Sequence, residues 1–258
     1  MERKNKHRPV GCTSVTFRQK DPARILDLLK QTGADCIEWG TDVHADVNDS
    51  KKLEQILQEC SDHDMTVCSL GSYYKCCQGL DPQKDFAPVI HAAKILHAPV
   101  IRIWAGRTAS ALADEAYFNR MVDEVRECCA LAEQENITVA FEYHRRSLTD
   151  NADSAVRLLK AVDRANCKTY WQPNPELSWQ QNREELQQIL PWLCRVHVFS
   201  WLTDNTRLPL AAQAEQWKSW LQLIPQDIPL LLEFVKDDSE KQFIEDIHTL
   251  QQWIKKGL

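Results

Sequence analysis

The strongest constraint on the fold is a regular alternation of short apolar strand patterns and amphipathic helix patterns along all 258 residues. Eight strand–helix units follow one another at a spacing of about 31 residues, and no change of composition marks a linker. Alternation of this kind predicts a parallel sheet, and eight units in about 250 residues are typical of a closed barrel. The sequence therefore predicts an α/β fold, a single (β/α)8 TIM barrel over residues 10–258, after a flexible lead-in at residues 1–9.

An open, doubly wound sheet is the alternative architecture, but no glycine-rich phosphate loop follows the first strand pattern. The helix signals fit the barrel equally well. Asp21 and Pro22 are an N-cap and a first helical residue, and Gly33 ends the same helix. The predicted strands cover 11–17, 35–40, 66–70, 100–104, 137–144, 168–172, 195–199 and 229–234.

Charge and composition exclude several classes of protein. The net charge of −6 offers no broad basic face for nucleic acid, and no apolar run approaches the roughly 20 residues that span a bilayer. The basic first residues lack the apolar segment of a secretory signal. We therefore expect a cytoplasmic protein whose ten cysteines are free thiols. Its oligomeric state stays open, and a homo-oligomer is one of the possibilities.

The stretch 137–144 is unusual because a buried, β-branched strand ends in Glu142 and His144. Side chains alternate along a strand, so a register that turns Glu142 into the barrel turns the bulky Val139 and Phe141 toward the helices. The same register turns four further residues on three other strands inward: Arg102, Trp104, His197 and Glu233. A buried charge needs a partner, a metal or water, so these residues mark the barrel mouth as a site.

Four potential metal ligands end strands five to eight: Glu142, Gln172, His197 and Glu233. Two carboxylates, an imidazole and an amide oxygen are a suitable ligand set for a divalent cation such as Mn²⁺, Zn²⁺, Mg²⁺ or Co²⁺. The alternative is a hydrogen-bonded polar cluster that fills the barrel mouth without a metal.

Five segments carry a resemblance to a known family, and together they cover nearly the whole chain: IEWGTDVH at 37–44, GSYY at 71–74, RIWAG at 102–106, FEYH at 141–144 and LEFV at 232–235. They resemble the sugar phosphate isomerase/epimerase proteins of the xylose-isomerase-like TIM-barrel superfamily. The resemblance implies a divalent metal bound by acids on strands five, six and eight and by a histidine on strand seven. Glu142, Glu233 and His197 match these positions. Gln172 stands in place of the strand-six acid, and Pro175 in place of a histidine that many relatives have.

The function that fits is a metal-dependent isomerase or epimerase that moves a proton between neighbouring carbons of a sugar or sugar-like hydroxycarbonyl compound. Glu142 and Glu233 are the predicted acid and base. The predicted substrate-binding residues are His44, Arg102, Trp104 and His144. Arg102 has an alternative role in balancing charge, with Glu38 as a partner. A sugar-binding barrel that has lost activity is the rival function, whereas a DNA endonuclease of the same superfamily would need more His and acidic ligands and a basic groove.

Overall fold

Eight parallel strands close into a barrel in which each strand pairs with the next and β8 pairs with β1. The computed structural model describes residues 8–255. The strands are β1 Val10–Thr13, β2 Cys36–Gly40, β3 Thr66–Lys75, β4 Val100–Trp104, β5 Thr138–Phe141, β6 Cys167–Trp171, β7 Leu193–Val198 and β8 Leu230–Leu232. The main helices are α1 Pro22–Thr32, α2 Ser50–Asp62, α3 Ala87–Ile95, α4 Glu115–Glu133, α5 Ala152–Val162, α6 Trp179–Ile189, α7 Ala214–Leu221 and α8 Glu240–Lys255. The predicted TIM barrel is therefore confirmed.

The helix ends follow from local side-chain chemistry. The carboxylate of Asp21 accepts a hydrogen bond from the backbone N–H of Arg24 at 2.8 Å, and Pro22 occupies the first turn of α1. Gly33 ends α1 in the left-handed conformation, with φ of 64°, which a residue with a side chain adopts only with strain. Helix α1 is thus delimited by its own sequence, shortly before β2 begins.

Apolar side chains separate into a large core outside the barrel and two small clusters inside it. Val139 and Phe141 belong to the large core between strands and helices, and both are fully buried. Ala140, between them in sequence, packs instead with Val100 and Tyr170 in one of the two small clusters. This separation is the alternation predicted for β5, and it leaves small side chains beneath the polar barrel mouth.

Strand β3 is longer than predicted, because it continues past Leu70 to Lys75. Its pairing with β4 shifts register between Gly71 and Lys75, so four steps along β3 match two steps along β4. Such a bulge bends a strand and re-aims its side chains. Nothing in the polar and aromatic sequence of this segment distinguishes it from a loop.

Residues 1–7 of the predicted lead-in lie outside the described residues. Arg8 is buried and donates a hydrogen bond of 2.6 Å to the carbonyl of Ile224, and the Pro9 carbonyl accepts one from the Leu230 N–H. The described chain is therefore attached to the barrel from Arg8 onward. All ten cysteines are free, and no helix within residues 8–255 is long and apolar enough to cross a membrane.

Candidate metal centre and active-site cavity

Three buried side chains at the carboxyl ends of the strands form a compact cluster of ligand atoms. One carboxylate oxygen of Glu142, one of Glu233 and one ring nitrogen of His197 all lie within 4.8 Å of one another. The strands position them: the Glu142 N–H donates to the Ile103 carbonyl at 2.9 Å, and the Glu233 N–H donates to the Val198 carbonyl at 3.0 Å. Both glutamates thus continue the strand hydrogen-bonding pattern just beyond β5 and β8.

Gln172 completes the cluster from the end of β6. Its amide oxygen lies 3.1 Å from Nδ1 of His197, and the same nitrogen lies 3.4 Å from a carboxylate oxygen of Glu233. The structure therefore brings together all four residues that we predicted as metal ligands. An amide oxygen is a neutral ligand, so two rather than three negative charges face the centre of the cluster.

The donor set fits a divalent ion. Oε2 of Glu142 is buried and accepts no hydrogen bond from any described residue, although Arg102 lies 2.7 Å away as an ion-pair partner. A buried oxygen without a hydrogen-bond donor is costly unless something else satisfies it. The Arg102 ion pair offsets part of this cost, and a divalent ion bound by Glu142, Gln172, His197 and Glu233 would satisfy the remaining lone pairs, with the two carboxylates offsetting its charge.

A third carboxylate, that of Glu38 at the centre of β2, holds the neighbouring charges in place. One of its oxygens accepts hydrogen bonds from Tyr170 at 2.7 Å and Ser69 at 2.9 Å. The other lies 3.5 Å from both Arg102 Nε and His197 Nε2. Glu38 therefore contacts His197 on the side opposite the ligand cluster, where a carboxylate orients a metal-binding imidazole.

Arg102 bridges the two carboxylate groups and was predicted both as a substrate contact and as a charge-balancing residue. It pairs with Glu142 and Glu38, is almost completely buried, and also lines the cavity. Gly71 makes room for this arrangement, because a Cβ there would lie 2.8 Å from Arg102 Nη2 and 2.9 Å from Glu38 Oε1. The ion pairs support the charge-balancing role, and contact with substrate stays a prediction.

The buried charges shift one another's pKa values. Burial raises the pKa of Glu142, whereas for Glu233 the neighbouring His197 outweighs burial and lowers the pKa. Burial alone would raise the pKa of Glu38, but Arg102 and His197 lower it to about 2. Burial alone would lower the pKa of His197, but Glu233 and Glu38 raise it to about 10. His197 thus carries a proton that a bound metal ion would displace.

The cluster lies at the floor of a cavity of about 230 Å³ formed by the strand ends. This is smaller than the roughly 300–1,000 Å³ typical of sites for drug-sized ligands, so a small molecule fits. One wall is aromatic: the Trp104 ring lies 4.5 Å from that of His144 and 6.3 Å from that of Tyr73, centroid to centroid. Trp104 and His144 line the cavity, and their contact with substrate stays a prediction.

His44 requires a correction, because it does not belong to the described residues that line this cavity. It is a buried residue of the β2–α2 loop, and its Nδ1 lies 3.0 Å from the Ser14 hydroxyl and its Nε2 3.0 Å from the Lys20 carbonyl. Burial lowers the pKa of His44. Both ring nitrogens have partners within the protein, so the geometry assigns His44 to loop structure rather than to substrate binding.

Several residues that line the cavity are not among the predicted site residues, among them Lys75, Arg145 and Phe234. Lys75 lies at the end of β3, Arg145 follows β5, and Phe234 follows β8. Arg145 donates to Glu176 at 2.9 Å and to Asn205 at 3.0 Å, so it connects the loops after β5, β6 and β7. In the sequence, the only signal for Lys75, Arg145 and Phe234 is that each lies at or just after the carboxyl end of a strand.

Comparisons with known proteins agree with this geometry. The family profile described as xylose isomerase-like TIM barrel matches residues 26–251. A 3-dehydroshikimate dehydratase from Bacillus anthracis is 26% identical over 201 residues, which is 72% of this chain and 69% of that protein. The crystal structure of the probable 3-DHS dehydratase AsbF from Bacillus anthracis superposes with a TM-score of 0.83 at 19% identity, covering 94% of this chain and 98% of that one.

A second similar structure shows the same fold. The structure of IOLI protein with a bound zinc atom superposes with a TM-score of 0.78 at 16% identity, covering 97% of this chain and 99% of that one. The chain belongs to the xylose isomerase-like TIM barrel family. Its buried Glu/His/Glu cluster is suited to a divalent metal ion, as in a metal-dependent enzyme.

Proposed function

We propose that this protein is a metal-dependent enzyme that removes a proton from the carbon next to a carbonyl group in a small, hydroxylated substrate. The observation that carries the proposal is the cluster of Glu142, His197 and Glu233 at the floor of the cavity. Carbonyl substrates need both a base and a stabiliser of negative charge at one place, and the buried cluster offers both. The proposed metal ligands are these three residues and Gln172.

A divalent ion held by these residues would polarise the substrate carbonyl and stabilise the negative charge that develops on its oxygen, an effect worth several kcal/mol. The chain's own groups would do the rest. Glu142 and Glu233 approach the cluster from β5 and β8, so one can accept the proton of the substrate carbon while the other donates to the substrate. Each such role typically contributes about 10²–10⁴ in rate.

His144 is placed to act with them. Its Nδ1 lies 2.6 Å from the Arg145 carbonyl, which can only accept, so Nδ1 carries the hydrogen. In the neutral ring Nε2 is then an acceptor, and the Trp104 ring packs against the imidazole. We propose that His144 orients or deprotonates a substrate hydroxyl, while Trp104 forms the wall beside it.

Removal of the proton can have two outcomes. Return of a proton to the same carbon is epimerisation, and its return to the neighbouring carbon is isomerisation. Glu142 and Glu233 form a suitable acid–base pair for both. Departure of a hydroxyl group from the next carbon, as water, is dehydration. We propose dehydration of 3-dehydroshikimate as the first reaction to test, because the matched dehydratase is the relative with 26% identity. Its product after tautomerisation would be an aromatic diol, 3,4-dihydroxybenzoate.

The test is proton exchange in D₂O with protein loaded with Mn²⁺, followed by NMR for 3-dehydroshikimate and for a panel of ketoses. We expect deuterium in recovered substrate, or formation of the aromatic diol, and loss of both in Glu233→Gln. Glu240→Gln, at an exposed ion pair with Arg24, is the matched control. Metal-loaded protein that binds these compounds but neither exchanges a proton nor releases water would contradict the proposal and favour a barrel that binds without catalysis.

A further inference from the structure

Lys75 is the one cation in the cavity wall that lacks a carboxylate partner among the described residues. Three Lys and Arg side chains line the cavity. Arg102 pairs with Glu142 and Glu38, and Arg145 pairs with Glu176. The Lys75 ammonium instead lies over two aromatic rings. A half-buried positive charge in a ligand cavity, left uncompensated by the protein, is available to an anionic group of a ligand.

The bulge in β3 places Lys75 at the cavity. Gly71 pairs with Arg102 and Lys75 pairs with Trp104, so three residues of β3 lie between these two pairs but only one residue of β4. Two strand residues correspond to about 7 Å, which places Lys75 roughly that far above the level of Arg102 toward solvent. Lys75 therefore lies near the rim, whereas the ligand cluster lies at the floor.

Aromatic contacts hold the ammonium in this position. Nζ of Lys75 lies 4.7 Å from the centroid of the Trp104 ring and 5.8 Å from that of Tyr73. The Tyr73 hydroxyl is itself held by Arg18 at 2.7 Å, and Arg18 pairs with Asp42. A lysine loses side-chain freedom when it binds a ligand, so this preorganisation reduces the cost of binding.

From these contacts we infer that Lys75 binds a carboxylate group of the substrate while the floor cluster binds the hydroxycarbonyl end. The inference rests on the proposed function, because it takes this cavity as the substrate site. The substrate class is then a small hydroxylated carbonyl acid rather than a neutral sugar. A phosphate is a weaker candidate, because phosphate sites ordinarily add several backbone N–H donors at a helix N-terminus to the cation.

A double-mutant cycle between the protein and the ligand tests this inference without any turnover. The two probes are 3,4-dihydroxybenzoate and catechol, which differ only in the carboxylate, and binding of each to Mn²⁺-loaded protein is measured by calorimetry. We expect wild-type protein to bind 3,4-dihydroxybenzoate about tenfold more tightly than catechol or better, as for one charge-assisted hydrogen bond. Lys75→Met should remove this preference and leave catechol binding unchanged. Lys75→Arg should retain most of it.

The control variant is Lys84→Met, which removes the same charge from an exposed residue outside the cavity. It should bind both probes as the wild type does. Equal binding of the two probes by the wild type, or a preference that survives in Lys75→Met, would overturn the assignment of Lys75. Failure of the proposed function is distinguishable, because it shows as the absence of proton exchange and dehydration whatever the binding preference.

Discussion

The two sides of the barrel mouth use buried charge in opposite ways. On the side of β5 to β8, Glu142, His197 and Glu233 converge, and one Glu142 oxygen is left without a hydrogen bond from the described residues. On the side of β2 to β4, Glu38 accepts hydrogen bonds from the Ser69 and Tyr170 hydroxyl groups and lies 3.5 Å from Arg102, whose closer partner is Glu142. The charges of Glu142, His197 and Glu233 are therefore the ones available to a metal ion and a substrate. We call the first group the ligand side and the second the support side.

The largest effect is expected from removing one charge on the ligand side. Glu233→Gln should lower activity about 10²–10⁴-fold, because it removes an acid–base group and one of the two negative charges that face the metal ion. Glu142→Gln should have a similar effect. Steady-state kinetics with saturating Mn²⁺ measure both, and Glu240→Gln is the control. Normal turnover by Glu233→Gln would show that the two-carboxylate mechanism is wrong.

Removing the central charge of the support side should act indirectly, through His197. Glu38→Gln leaves Arg102 and His197 without a shared carboxylate, so Mn²⁺ affinity should fall by about 10–100-fold. Equilibrium titration of the metal-free protein measures this affinity. Glu124→Gln is a suitable control, since Glu124 is half-buried and accepts hydrogen bonds from Tyr74 and Cys77, which do not line the cavity. Unchanged affinity in Glu38→Gln would show that the support side does not position the imidazole.

One substitution at Gln172, an uncharged metal ligand, should retain or increase Mn²⁺ affinity rather than lower it. The amide oxygen of Gln172 lies 3.1 Å from His197 Nδ1. Because Gln172→Asp replaces the amide by a carboxylate, we expect Mn²⁺ affinity to be retained or increased. Gln172→Ala should weaken it. The same titration compares the three proteins. A loss of affinity in Gln172→Asp that matches Gln172→Ala would mean that the amide itself, rather than an oxygen ligand, is required.

The smallest effect on the site is expected at His44, which belongs to neither side. His44→Ala should leave binding of 3,4-dihydroxybenzoate within about twofold of wild type, because the ring does not line the cavity. It should lower the free energy of unfolding by about 1–3 kcal/mol, since the Ser14 hydroxyl and the Lys20 carbonyl lose a buried partner. Urea unfolding measures this loss. Weaker binding at unchanged stability would restore His44 as a substrate contact.

Sequence alone predicted the ligand side better than the support side, for a physical reason. A polar residue at the end of a buried strand is conspicuous, and strand parity alone turns Glu142, His197 and Glu233 to one place. The β3 bulge depends on pairing between distant segments, so the position of Lys75 could not be read from its neighbours. His44 was misassigned because its motif lies beside a strand end, while its burial depends on the fold of two loops.

The central claim is that Glu142, Gln172, His197 and Glu233 together hold one divalent ion. Titration of metal-free protein with Mn²⁺, with bound and free ion distinguished by electron paramagnetic resonance, tests it most directly. We expect one ion per chain in wild-type protein and in Glu240→Gln, and no saturable site in the double variant Glu142→Gln/Glu233→Gln. Equal binding of Mn²⁺ by the folded double variant, or no binding by the wild type, would show that these residues do not hold the ion.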